Sequence, residues 1–269
     1  MKPSRILIVL WVVAAALALQ SGLFPGAHAA IMTSMFDPSH RPFEKLLKRY
    51  VKDGLVDYRG LKSDPAYLND YLRQLANVST GEYDSWPRNE KLAYWINAYN
   101  AFTLKVIVDR YPIKRNILIG LLQPADSIKQ IPGAWDSMRF QGVGGAKTLE
   151  SIERDVLRRE FHEPRIYFAI VPAALGGPPL RSEPYTASRL TAQLEDQTTT
   201  FFRNSKKARL DSQNNILYLN PILDWFGPEF GDRIVFASHY LKLQDADVIS
   251  RYPVSIRYLP YDWTLNERH

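Results

Sequence analysis

The sequence predicts an α+β fold in which helices pack on a small, mostly antiparallel sheet. Stretches with apolar residues at helical spacing alternate along the chain with short runs of β-forming residues. The continuous apolar run at residues 165–171 has the composition of a central strand, because isoleucine, tyrosine, phenylalanine and valine favour extended structure. With 269 residues, of which 46% are hydrophobic, the chain is long enough to bury a full core.

The first half of the domain is predicted to be mostly helical. Apolar residues recur at helical spacing over residues 43–52, and a short extended piece follows at 55–58. Asp64 and Pro65 provide a cap and a first residue for a second helix. The longest helix is predicted over residues 86–111, and because it is apolar nearly all round we expect it to be buried.

The second half mixes short strands with helices. A hairpin is predicted over residues 134–143, and Thr148 is placed to cap a helix over 149–161. Residues 165–171 form the predicted central strand. Further elements are predicted as helices over 187–202, 221–226 and 233–241 and as strands over 216–219 and 254–258.

The N-terminus has the composition of a secretory signal peptide. Lys2 and Arg5 flank an apolar run over residues 6–19, and small residues up to Ala29 provide a cleavage site. We therefore expect export to the periplasm or the exterior after removal of residues 1–29. An uncleaved anchor is the alternative, and it is the only membrane attachment that the sequence suggests.

The expected mature chain has a simple organisation. Residues 30–42 are predicted as an N-terminal extension and residues 43–266 as a single domain. Because the signal peptide carries Lys2 and Arg5 and no acid, its removal lowers the formal charge from +6 to +4. A balance this small gives no reason to expect nucleic-acid binding.

Two asparagines in the long apolar helix predict a polar cluster inside the fold. Asn97 and Asn100 are three residues apart and therefore project from one face. A buried amide is costly unless its atoms find partners. Those partners are either loop carbonyls of the segment 112–145 or a bound ligand.

Several motifs keep a characteristic order along the chain. They are Val56-Asp57-Tyr58, WINAYNAF, TLESIE, PRIYFAI running into PPLRSEPY, the stretch from Asn215 to Trp225, and YLPYDWTLN. Together they resemble the domain-of-unknown-function family 547 over roughly residues 43–266. The resemblance implies a papain-like fold related to cysteine hydrolases.

The same resemblance implies that this chain has lost the chemistry of its relatives. Many members carry cysteines at the positions of Pro172 and Gly177, and histidines at those of Arg154 and Tyr167. Thiol catalysis needs a thiolate, usually activated by an imidazole. The chain contains no cysteine at all, so thiol catalysis is excluded.

No other familiar catalytic or cofactor motif replaces the missing thiol. The sequence has no Gly-x-Ser-x-Gly elbow, no His-Glu-x-x-His zinc motif and no P-loop. We therefore expect no metal and no cofactor. The basic run at residues 206–209 is interpreted as a solvated loop. Surface or helix-cap positions are expected for His40, His162, His239 and His269.

The polar and aromatic residues around the predicted strand end form the candidate site. The candidate residues for acid–base catalysis are Glu153, Tyr167 and Asp262, because no thiol or recognisable triad is present. The candidate ligand-binding residues are Asn97, Asn100, Arg165, Arg181, Tyr185 and Trp263. Such a set suits an anionic, peptide or sugar ligand. The alternative is an internal ion-pair network in which Glu153 pairs with Arg165 or Arg181.

Two classes of function follow from these residues. The first is an exported, non-catalytic binding or scaffolding protein, whose partner is a small molecule, a peptide or a protein of the cell envelope. The second is a hydrolase or transferase with a non-thiol acid–base pair. The joint absence of thiol and imidazole favours the first.

Overall fold

The computed structural model describes residues 36–116 and 123–269. The predicted signal peptide and the first part of the predicted extension lie outside these residues. The described chain combines helices with three small sheets, ordered β1-β2, β3-β4 and β5-β6-β7. The predicted α+β class is confirmed.

Helices make up most of the described structure. The α-helices are α1 Arg41–Tyr50, α2 Tyr58–Ser63, α3 Ala66–Asn77, α4 Thr80–Ser85, α5 Arg88–Arg110, α6 Leu149–Ser151, α7 Arg159–Phe161, α8 Leu190–Arg203, α9 Ile222–Trp225, α10 Arg233–Ser238 and α11 Leu243–Arg251. A π-helix at Ile152–Arg158 joins α6 to α7, and 3₁₀ turns lie at Ile128–Gln130, Pro164–Phe168 and Gly227–Phe230.

The strands are short and mostly antiparallel. They are β1 Val51–Lys52, β2 Leu55–Val56, β3 Phe140–Gly142, β4 Gly145–Lys147, β5 Ala208–Asp211, β6 Ile216–Leu219 and β7 Ser255–Tyr258. Ala208 pairs with Leu219 across the antiparallel β5–β6 ladder, whereas Leu219 pairs with Tyr258 across the parallel β6–β7 ladder. The predicted hairpin is shifted to β3–β4, because the residues that accept a left-handed backbone at its turn are Gly144 and Gly145.

The long helix α5 forms the centre of the fold, as its composition predicts. Its side chains are buried on every face between Leu92 and Val108, except for Lys105. Helices α2 and α3 pack against it. A helix that is surrounded by other elements has no face in contact with water, so it needs no polar face. This explains why α5 is not amphipathic.

The predicted central strand at residues 165–171 is wrong. Pro164–Phe168 is a 3₁₀ turn, which Pro164 begins and in which the Glu163 carboxylate accepts a hydrogen bond from the Arg165 amide. The apolar residues of the run are buried as expected, from Ile166 to Val171. Their backbone, however, is held by side chains and local turns instead of by a neighbouring strand.

The N-terminal histidine takes one of its two predicted places. His40 is the N-cap residue of α1, but it is not at the surface, because it is only 1% exposed. Its ring packs edge-on against Phe36 and Tyr71, and its Nδ1 lies 2.7 Å from the Tyr71 hydroxyl oxygen. Phe36, which precedes α1, and Tyr71 of α3 therefore pack against a side chain that sequence position alone places in an extension.

Two hydrophobic cores meet within the described residues. The helical core surrounds α5. The sheet core includes Phe168, Phe201, Phe202, Leu217 and Leu219. The segment around residues 166–171 contributes to both cores. Within the described ranges, no helix combines the length and apolar character needed to cross a membrane.

Candidate functional site

A cleft walled by aromatic rings lies where the two cores meet. Its cavity volume is about 140 Å³. Apart from Glu153 its lining is apolar or phenolic and includes Ile170, Pro172 and Pro178. We name it the aromatic cleft, after the rings that line it: Tyr99, Trp135, Tyr167, Trp225, Phe226, Tyr261 and Trp263.

The rings of the aromatic cleft contact one another in two groups. The Tyr261 ring lies 4.5 Å from that of Trp263 and 4.8 Å from that of Trp225, between centroids. On another wall, Tyr167 stacks on Phe226 at 4.1 Å with an interplanar angle of 20°. Such ring–ring contacts hold each wall in place before any ligand arrives.

Glu153 is the one carboxylate in the lining of the aromatic cleft. It lies on the π-helix, and π-helical turns occur frequently at functional sites. Among the described residues it has no hydrogen-bond or ion-pair partner within range. Burial raises its pKa to about 7, partly opposed by Arg158 and increased further by Glu150.

The phenols of the cleft provide donors without partners. The hydroxyls of Tyr167 and Tyr261 are buried and make no hydrogen bond to any described residue. Burial raises the pKa of both, and nearby carboxylates raise it further. Both phenols therefore stay protonated at neutral pH and can donate to a ligand, but they cannot act as bases.

Pro172 and Gly177 lie next to each other. Pro172 lines the aromatic cleft. A Cβ built on Gly177 would lie 2.9 Å from Pro172 Cδ and 2.9 Å from the Tyr261 hydroxyl oxygen. No side chain fits at Gly177 unless these neighbours move, because Pro172 and Tyr261 already fill the space beside it.

The aromatic cleft thus brings Pro172 together with three of the predicted site residues, which are Glu153, Tyr167 and Trp263.

The two predicted asparagines lie elsewhere. The Asn97 amide donates to the Tyr185 carbonyl at 2.8 Å, and its oxygen accepts from the Tyr185 amide at 3.0 Å. The Asn100 amide pairs in the same way with Ala169 and Val171. Both asparagines serve the backbone of the second half of the domain, and neither lines the aromatic cleft. Tyr185 is 2% exposed and also lies outside it.

The arginines of the candidate site belong to ion-pair networks outside the cleft. Arg165 pairs with Glu163 at 2.7 Å and with Glu195 at 3.0 Å. Arg181 pairs with Glu183 at 2.8 Å and with Asp196. The alternative in which Glu153 pairs with either arginine is not formed, because nearer acids pair with both arginines.

Arg154, a neighbour of Glu153 in the chain, faces solvent. It pairs with Glu150 and Asp155, and its side chain is 58% exposed. The neighbouring Glu153, on the same π-helix, faces the cleft instead.

Asp262 lies in a second, larger cleft. This polar cleft has a volume of about 320 Å³, and its lining includes Gly177, Lys207, Asn220, Asp262 and Asn266. Lys207 was predicted in a solvated loop, but it is only 7% exposed and donates a hydrogen bond to the Leu175 carbonyl. Burial lowers its pKa to about 8, and the Asp262 carboxylate partly opposes this.

The buried ammonium of Lys207 is expected to destabilise the fold at neutral pH. Because its folded pKa lies below the unfolded value of 10.5, stability rises as pH increases from about 8 to 10.5. Lys207→Met should therefore raise the free energy of unfolding at pH 7 by about 2 kcal/mol, and the gain should disappear near pH 10.5. Urea unfolding at both pH values measures this. The exposed neighbour Lys206 gives the control, because Lys206→Met should change the free energy of unfolding little. A lower free energy of unfolding for Lys207→Met at pH 7 would contradict the prediction.

Sequence reasoning missed most of the aromatic wall. Tyr99 lies on the long helix that was predicted to be buried, and Trp135 lies in the segment that was predicted as a hairpin. Trp225 and Tyr261 belong to the motifs that carry the family resemblance, and Trp225 is 48% exposed, which is unusual for so large an apolar ring. Their place in those motifs was the available signal, but one sequence does not show that rings from distant segments meet around one cavity.

Residues 36–116 and 123–269 contain no group of three or more acidic or histidine side chains that could hold a metal ion.

The fold and the site together define an α+β protein with an aromatic, carboxylate-bearing cleft. Residues 83–202 match the model of the family described as "Protein of unknown function, DUF547". The matched range includes α5, Glu153, Tyr167 and Pro172. No curated protein and no solved structure matches the chain.

Proposed function

We propose that this chain is an exported, non-catalytic binding protein, a pseudoenzyme relative of cysteine-hydrolase-like proteins that keeps a ligand cleft. The observation that carries the proposal is the lining of the aromatic cleft, which contains Pro172, a residue without a nucleophilic side chain, and walls of aromatic rings. No serine, threonine, lysine or histidine lines that cleft.

The size of the aromatic cleft limits its ligand. A cavity of about 140 Å³ is close to one that accommodates benzene in another protein. The cleft therefore suits one compact chemical group. It is too small for a peptide side chain together with its backbone, or for an oligosaccharide. The arginines that would bind an anion are paired elsewhere.

One observation favours the second class of function. Glu153 is unpaired and has a pKa of about 7, which suits a general acid or base at neutral pH. A hydrolase or transferase that uses Glu153 therefore stays as the alternative candidate.

Binding measurements on the purified chain separate the two candidates. We expect compact organic fragments to change the tryptophan fluorescence saturably, because three tryptophans line the cleft. Trp225→Ala should weaken binding about tenfold or more with little effect on stability, because the ring is at the surface. The ligand should be recovered unchanged.

The matched control is another exposed ring outside the cleft. Tyr252 is 57% exposed, so Tyr252→Ala should leave binding unaltered. Turnover of ester, amide or glycoside substrates that disappears in Glu153→Gln would overturn the binding proposal and establish the alternative. Equal binding by Trp225→Ala would place the ligand elsewhere.

A further inference from the structure

The charge balance inside the aromatic cleft restricts its ligand further. Glu153 is the only charged residue of the lining. Neighbouring acids are already neutralised, because Glu163 pairs with Arg165 at 2.7 Å and Glu229 pairs with Arg158 at 2.7 Å. Glu153 alone has no cationic partner within an ion-pair distance among the described residues. A desolvated carboxylate without a counter-charge is unfavourable, so its ionised form is stabilised by a positive ligand.

The aromatic walls favour the same sign of charge. Ring faces carry negative potential, and a cation within about 6 Å of a ring centroid is attracted to it. One ring of the wall already has such a contact with a cation: the Nζ of Lys129, a residue outside the lining of the cleft, lies 4.1 Å from the centroid of the Trp263 ring. An anion would meet both these faces and the Glu153 carboxylate, and it would be repelled.

We propose that the ligand of the aromatic cleft is a compact organic cation, a quaternary or alkyl-substituted ammonium group, held by the aromatic faces and by the Glu153 carboxylate. This inference rests on the proposed binding function and names its ligand class. An alkylated ammonium fits the cleft better than a bare ion, because its substituents fill an apolar cavity of about 140 Å³. It also fits better than a neutral group, which would leave Glu153 unpaired.

The proposal predicts a pH dependence with a definite sign. Cation binding needs the carboxylate, so affinity should rise by about tenfold from pH 6 to pH 8 as Glu153 ionises around pH 7. The flanking groups do not reverse this. On the same helical stretch, Glu150 and Arg158 have opposite charges. The carboxylates of Glu163 and Glu229 are each paired with an arginine. The phenols that line the cleft have raised pKa values and therefore stay neutral between pH 6 and pH 8; they are Tyr99, Tyr167 and Tyr261.

Calorimetric titration with an isosteric pair tests the charge directly. Choline and 3,3-dimethylbutan-1-ol have the same shape, but the alcohol has carbon in place of the charged nitrogen. We expect choline to bind the full chain about tenfold more tightly than the alcohol at pH 8. Glu153→Gln should reduce that preference to the smaller part that the ring faces provide, while keeping the weaker, neutral binding.

A carboxylate one turn earlier gives the matched control. Glu150 lies outside the cleft and pairs with Arg154, so Glu150→Gln should keep the preference for choline. Because Glu153→Gln removes a desolvated charge, it should unfold at no lower a temperature than the natural chain at pH 8, which excludes misfolding as the cause of its effect.

The possible outcomes separate the two proposals. If the alcohol binds as tightly as choline, or if only other fragments bind, the cation class is wrong while the binding function stands. If no compact fragment binds at any pH between 6 and 8, both fail. A choline preference of unchanged size in Glu153→Gln overturns the role of that carboxylate.

Discussion

Lowering the pH from 6.5 to 4 is expected to remove about 3 kcal/mol of folding stability through one side chain, His40. Burial lowers the pKa of this imidazole from 6.5 to about 3, with the Asp37 carboxylate opposing. Between these two values the unfolded chain binds the proton and the folded chain does not. Stability is therefore present above pH 6.5 and is lost as the pH falls towards 3. Free energies of unfolding in urea, measured at pH 7, 5 and 4, give the slope.

A difference between variants isolates the histidine from the titrating carboxylates. His40→Gln keeps a group that can hydrogen-bond to the Tyr71 hydroxyl, but it does not titrate, so its stability should fall less steeply with acid. The exposed His239 gives the control, and His239→Gln should follow the natural chain. Parallel curves for the natural chain and His40→Gln would show that His40 is protonated within the fold and would contradict the prediction.

Asn100→Ala is expected to lower the free energy of unfolding by about 3 kcal/mol. The Asn100 amide donates to the Ala169 carbonyl at 3.0 Å, and its oxygen accepts from the Val171 amide at 2.8 Å. Alanine would leave both backbone groups buried without partners and would open a small cavity. Chemical unfolding at pH 7 measures the loss.

The same change should also weaken ligand binding. The backbone held by Asn100 carries Ile170 and Pro172, which line the aromatic cleft. An exposed asparagine gives the matched control, since Asn214→Ala should cost less than about 0.5 kcal/mol. A cost below about 1 kcal/mol for Asn100→Ala would show that solvent or a backbone shift replaces its two bonds.

Local signals predicted many of the elements correctly. The β6 strand, Ile216–Leu219, was predicted with its observed bounds. Thr148 caps its helix through a reciprocal pair of hydrogen bonds with Ser151, because a side-chain oxygen at that position satisfies a free amide of the first turn. The buried character of α5 followed from its composition. Each of these features depends on residues close together in the chain.

Predictions that required a partner from a distant segment were less successful. Residues 165–171 are as apolar as a central strand, but Pro164 and Glu163 favour a turn, and Asn100 supplies hydrogen bonds that a strand neighbour would otherwise provide. Arg165 and Arg181 were expected near a ligand, yet acids closer to them in space neutralise both.

The amino-acid sequence by itself determined the chemistry that is absent and the kind of fold: it contains no thiol, and its periodicities specify an α+β chain with one buried helix. Only the tertiary structure decided which side chains meet. Glu153 lacks a counter-charge, and rings from Tyr99 to Trp263 converge around it, because segments far apart in the chain close on one cavity. Periodicity reports the face on which a residue lies, whereas burial, pairing and cavity shape depend on what packs against that face.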